Sequence, residues 1–202
     1  GDAKSSSGGY ALIAETVVPL HHDPSTPGGR EALNLGRDLE GIDVARFRLR
    51  PGDDASCLNL YRPQNPRLLG ATDAFIDANR FSFSGSLAGT PEEEANPWRL
   101  LHRRFEDGAI PVVGDATSLA YVFHLGIGDD FVMQGPDGAP LRLRIVGALR
   151  DSVLQSELVM GDAQFTRLFP RNDGFRVFLV SAAPDRVDAV AAALEDQLED
   201  FG

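Results

Sequence analysis

Apolar and polar positions alternate most regularly between residues 127 and 169. Phe131-Val132-Met133 is a short apolar run, and Pro136-Asp137-Gly138 after it has the makings of a turn, because Pro presets φ and Gly accepts φ > 0. Leu141-Arg142-Leu143-Arg144-Ile145 then alternates with period two, apolar on one face and charged on the other, and runs on through Val146-Gly147-Ala148-Leu149. That pattern predicts a half-buried antiparallel strand. Glu157-Leu158-Val159-Met160 predicts another. Asp162 is then placed to cap a short helix with Phe165, Leu168 and Phe169 on its apolar face, closed by Pro170.

The remaining segments give weaker versions of the same two periods. Residues 10–20 read as a strand rich in β-branched side chains, and Ser25-Thr26-Pro27 as a helix start with Pro27 in the first turn. Residues 42–49 predict a strand, 73–81 a short helix, and 98–105 a short element on the core. Residues 85–97, with their glycines, prolines and Glu92-Glu93-Glu94, read as a loop. Ile110-Pro111-Val112-Val113-Gly114 predicts a strand with an edge-like proline, followed by a helix capped by Asp115 and carrying Leu119, Val122 and Phe123. Residues 175–180 predict a buried strand. Asp185 is placed to cap a helix whose apolar positions Val187, Val190, Ala191, Leu194 and Leu198 fit one buried face.

These elements predict an α+β fold. Residues 1–124 and 170–202 would form a layered αβ subdomain, and residues 125–169 a smaller, mostly-β subdomain inserted into it. A chain of 202 residues is long enough for one domain, or two joined subdomains, with a substantial core. The net charge of −11 repels phosphate backbones and argues against nucleic acid as a partner. Arginine far outnumbers lysine, but the arginines are scattered among acids along the chain. No apolar run approaches the ~20 residues that cross a bilayer, and the opening Gly1-Asp2-Ala3-Lys4-Ser5-Ser6-Ser7 is polar. A single cysteine forms no internal disulfide.

Each candidate for chemistry has a competing explanation. Cys57 could act as a nucleophile with His21, His22, His102 or His124 as base, which would make the chain a soluble hydrolase. Asp53 and Asp54 beside Cys57 disfavour the thiolate, and a small buried hydrophobe is the alternative. Asp53, Asp54 and Asn59 could offer hard oxygens to Ca²⁺, as in an ion- or ligand-binding module, yet they lack an alternating ligand ladder and are explained by a turn after Pro51. Asp129-Asp130 and Asp137-Gly138 have the same turn explanation. His21-His22-Asp23 is a poor start to a zinc site, because neighbours on a strand point to opposite faces. Gly126-Ile127-Gly128 precedes a strand and does not open a helix, so it is not a phosphate loop. No catalytic, metal or cofactor site is assigned. The proline-punctuated stretch of residues 59–67 is the best candidate for an interaction loop, through Tyr61, Arg62 and Arg67. The acidic run Glu92 to Glu94 reads as solvated.

The order of the motifs is more telling than any one of them. A G-D before a strand, a D-G turn, a strand ending Ile145-Val146-Gly147-Ala148-Leu149, a short polar loop, Glu157-Leu158-Val159-Met160 and a helix over residues 162–169 resemble the extracytoplasmic domain of FtsX-like (MacB-like) ABC-transporter permeases. Gly9-Tyr10-Ala11-Leu12-Ile13-Ala14-Glu15 leading to Pro19-Leu20-His21-His22-Asp23, and Arg50-Pro51-Gly52-Asp53-Asp54 leading to Cys57-Leu58-Asn59-Leu60, extend the resemblance over nearly the whole chain. It implies a non-catalytic domain on the outer side of the cell membrane, set between membrane-spanning helices of the same permease that lie outside this sequence. It also implies a separate cytoplasmic ATPase, a permease homodimer, and an extracytoplasmic substrate or protein partner. Family members handle lipoproteins, peptides, antibiotics or signals to cell-wall hydrolases, and no motif here selects among them.

Overall fold

A computed structural model of the chain describes residues 2–52 and 65–198. The described residues form one nine-stranded mixed sheet with helices on both faces, an α+β fold. Strand β1 (Leu12–Leu20) lies at one edge and pairs antiparallel with β9 (Phe175–Ser181), Leu12 opposite Val180. Next come β2 (Asp43–Arg50) and β3 (Arg67–Ala71), and β3 runs parallel to β8 (Glu157–Gly161). β8 pairs with β5 (Ile110–Asp115), which runs parallel to β7 (Pro140–Leu149). The far side of β7 is shared: β6 (Asp130–Gln134) pairs with its first half and β4 (Phe83–Ser86) with its end. β7 and β8 thus bond to β3, β4 and β5, and the hydrogen-bonded ladder crosses both ends of residues 125–169.

The sequence accounts for which strands sit where. β2 alternates, so Ala45, Phe47 and Leu49 enter the core while Arg46, Arg48 and Arg50 lie on the opposite side. β3, β5 and β8 are near-continuous apolar runs because helices cover both faces of the central sheet. On one face Phe47, Leu69, Val159 and Val177 meet Phe75 and Ile76 of α2 (Asp73–Ala78) and the 3₁₀ segment Pro97–His102. Trp98 of that segment is fully buried. Its ring packs edge-to-face on Phe75 and Phe83 at 4.9 and 5.2 Å, and its indole N–H donates to the Arg80 carbonyl at 2.6 Å.

On the other face α5 (Asp162–Leu168) lays Phe165 over Gly70, where a Cβ would stand 2.8 Å from the ring, so only glycine admits this contact. Leu68, Leu143 and Met160 complete that part of the core. Beside it, Val190 and Leu194 of α6 (Val187–Leu198) pack with Phe178, Val180, Leu33 and Leu39. Each such large apolar side chain, fully buried, contributes about 1.5–3 kcal/mol.

Four local readings differ from the sequence expectation. Residues 85–97 are not a loop: Pro91–Ala95 is a helix, α3, because the Thr90 hydroxyl caps the Glu93 N–H at 3.2 Å, Pro91 suits the first position, and Glu92 to Glu94 complement the helix N-terminus. Pro111 sits on an interior strand; β8 pairs with β5 only at Val113 and Gly114, so Pro111 has a strand on one side alone. Asp115 does cap a helix, but α4 (Ala116–Ser118) passes directly into a π-helical turn, Leu119–Phe123. The wider turn carries Val122 outward, leaving it 56% exposed while Leu119 stays buried. Asp162 is the first residue of α5 and not its cap, and its carboxylate is drawn to Arg48.

Candidate functional site

Tyr61 and Arg62 of the expected interaction loop lie outside the described residues, as do Cys57, Asp53, Asp54 and Asn59. Arg67, where the loop rejoins the sheet, is the first residue of β3. Its guanidinium faces two carboxylates from distant strands. Both terminal nitrogens donate to Glu15 of β1, each at 3.0 Å, and Nε donates to Glu157 of β8 at 3.3 Å. This is the forked geometry that makes arginine a better carboxylate clamp than lysine. Arg176 approaches Glu15 at 4.0 Å and donates to the Thr16 carbonyl. Burial pushes the Glu157 carboxyl up from its ordinary range, with Arg67 pulling the other way.

A second cluster lies across β6 and β7. Arg144 bonds both oxygens of Asp130, at 2.8 and 3.1 Å, and also reaches Asp107 on the loop before β5. Arg142 joins both acids, at 3.2 and 3.5 Å. The bonds from Arg144 and the Ala109 N–H hold the Asp107 carboxyl down at about 2. Arg144 itself is pushed upward by its bonds to Asp130 and Asp107, and its guanidinium lies over the Phe105 ring at 4.6 Å. The alternation in residues 141–145 positions this cluster, since it puts both arginines on one face of β7.

Asp115 has more to do than its sequence reading suggests. Its side chain is fully buried and accepts from the Thr117 and Ser118 N–H groups, at 3.1 and 3.2 Å, and from Ser152 N–H at 2.7 Å. It therefore fixes the helix start and also ties down the connection from β7 to β8. The cap was legible in sequence, but the bond to a residue 37 positions away was not.

The histidines do not converge. His21 stands 4.0 Å from Asp173, and His102 stands 3.7 Å from Asp73 on the other side of the sheet. His124 ends the π turn with a left-handed φ of 55°. Among the described residues, no three of His, Cys, Asp and Glu come together in a way that could hold a metal ion, and no helix is long and apolar enough to cross a membrane. The arginines, scattered in sequence, do gather in space: Arg104, Arg167 and Arg171 all line clefts beside α5. Nothing in their spacing announces this, because the fold brings segments sixty residues apart to one helix.

No family model matches the chain, and neither does any curated protein. Among solved structures it is similar to the extracellular domain of the noncanonic ABC-type transporter YknZ from Gram-positive bacteria. The identity is 14% and the TM-score 0.44, over 94% of each chain. It is also similar to the periplasmic region of MacB from Actinobacillus actinomycetemcomitans, at 12% identity and a TM-score of 0.36, over 99% of this chain and 71% of that one.

Proposed function

We propose that this chain is a non-catalytic extracytoplasmic domain of an FtsX-like ABC-transporter permease, coupling movement of membrane helices to the handling of a substrate or partner outside the membrane. The observation that carries this reading is the pairing of the first strand with the last. Leu12 stands opposite Val180, and the Ala11 N–H donates to the Val180 carbonyl at 2.8 Å. The polypeptide enters the sheet on β1 and leaves it on the neighbouring strand β9 at the same end, before α6 packs back on the sheet, an arrangement that suits a domain set between two membrane-spanning helices. A displacement applied there acts on β1 and β9 together, and the continuous ladder passes it to β2 and β3.

In this reading the terminal parts, β1 and β9, lie nearest the membrane. The partners are the membrane helices of the same permease, a separate cytoplasmic ATPase, a second permease copy, and a substrate or protein outside the cell membrane. Tyr61 and Arg62 would meet that outside partner, with Arg67 anchoring the base of their loop. The order of the sequence motifs supports the same assignment.

The reading frame around this chain tests it. An apolar stretch of ~20 residues on each side, with Lys and Arg on the side of the stretch away from this domain, is the expected result. A frame without such stretches overturns the proposal.

A further inference from the structure

The chain carries a net charge of −11, yet two clefts flanking α5 are lined by arginine. One, of about 370 Å³, holds Arg103, Arg104 and Arg167 above Phe105 and Ile110. The other, of about 660 Å³, holds Arg50, Arg167 and Arg171 beside Leu168 and Phe169. Arg167 lines both, so the two clefts meet at its side chain.

Elsewhere in the fold arginines are consumed by carboxylates, as Arg48 is by Asp162 and Asp173, and Arg144 by Asp107 and Asp130. In the first cleft Arg103 is likewise held by both oxygens of Glu93, at 2.6 and 2.7 Å. Arg104, Arg167 and Arg171 differ: each is exposed, and none has a carboxylate partner among the described residues. Arg167 is oriented by a neutral group, the Gln164 carbonyl oxygen, at 2.6 and 3.2 Å. Asp137 lines the second cleft as well and brings one negative charge to it, its Oδ1 accepting from the Ala139 N–H at 3.0 Å, so the cleft keeps an excess of arginine.

We infer that this arginine-lined groove around α5 is a docking site for an extended acidic peptide segment of a partner protein, with carboxylates on Arg104, Arg167 and Arg171 and apolar side chains against Phe105 and Leu168. Carboxylate complements three uncompensated guanidinium groups, and the apolar floor suits a chain that alternates acid with hydrophobe. A bilayer surface is the poorer fit. The arginines line concave walls that an extended peptide can enter and a flat bilayer surface cannot. The inference is independent of the transporter reading and survives if that reading falls.

The test is fluorescence anisotropy with a labelled synthetic peptide of glutamate with interspersed leucine, against the same peptide with glutamine for glutamate. The probes are wild-type protein, the triple variant Arg104→Glu/Arg167→Glu/Arg171→Glu, and a control variant, Arg37→Glu/Arg99→Glu/Arg150→Glu, whose arginines are exposed elsewhere. Thermal melting of each variant verifies that it is folded. The expected result is saturable binding of the glutamate peptide that weakens with salt. The triple variant should lose it by at least about tenfold while the control variant keeps it. Equal binding by the triple variant, or by the glutamine peptide, overturns the inference. So does retention on phosphatidylglycerol vesicles through these three arginines with no binding of the peptide.

Discussion

The two arginine–carboxylate clusters are built from the same chemistry and respond to protons in opposite ways. Glu157 sits on a central strand with its side chain 11% exposed, and its Oε2 has no hydrogen-bond partner among the described residues. Asp107 sits on a loop, 40% exposed, and both of its oxygens are bonded. Burial dominates the first and raises its pKa; bonding from Arg144 dominates the second and lowers its pKa to about 2. An ion pair is thus not a fixed quantity of stability. Its consequences are set by what solvent is left to the carboxylate when the arginine is taken away.

The largest effect should come from breaking the buried cluster. Arg67→Met leaves Glu157 charged in the sheet with its partner gone and releases Glu15 as well, at a cost of about 3 kcal/mol at pH 7. Urea unfolding at pH 7 and pH 4 checks this. The loss should shrink at pH 4, where Glu157 takes up a proton. A loss of equal size at both pH values would assign Arg67 a packing role and remove the contrast. Glu157→Gln has a smaller effect of definite sign. The folded-state pKa of Glu157 is raised, so its contribution is fully present below the unfolded value of ~4.3 and is lost as pH rises through the folded value. The variant should therefore gain on wild type as pH rises from 4 to 7. A constant offset across that range would show that burial does not govern this carboxyl.

What the sequence made legible follows the same division between local and distant causes. The period-two run of residues 141–145 gave β7 its faces, and the apolar runs at residues 42–49, 157–160 and 175–180 gave β2, β8 and β9, because these patterns are set by which sides of one strand are dry. The α3 helix was hidden because Thr90 and Pro91 read equally as turn residues until the Glu93 N–H is seen bonded to the Thr90 hydroxyl. The π turn was hidden because Leu119, Val122 and Phe123 also fit an ordinary helix face. Arg67 could be picked out as an arginine at the end of a loop, but not as the clamp between β1 and β8, since Glu15 and Glu157 lie 52 and 90 residues away. The groove around α5 was illegible for the same reason. Charge along a sequence says little about charge across a surface when four segments meet there.

The smallest effect should come from the exposed cluster, and it completes the contrast. Asp107→Asn removes one of two carboxylates from Arg144 and Arg142, and Asp130 continues to hold both. The folded-state pKa of Asp107 is depressed to about 2, so its contribution is present above the unfolded value of ~3.9 and disappears as pH falls through 2. At pH 7 and low ionic strength the variant should melt slightly below wild type, by less than Arg67→Met. In about 1 M salt, where the Debye length is ~3 Å, the difference should close. Calorimetric melting at the two ionic strengths reads both quantities. A drop as large as that of Arg67→Met, and indifferent to salt, would mean that Asp107 fixes the loop before β5 through its Ala109 N–H bond at 3.2 Å rather than through charge. Exposure would then have failed as the variable that separates the two clusters.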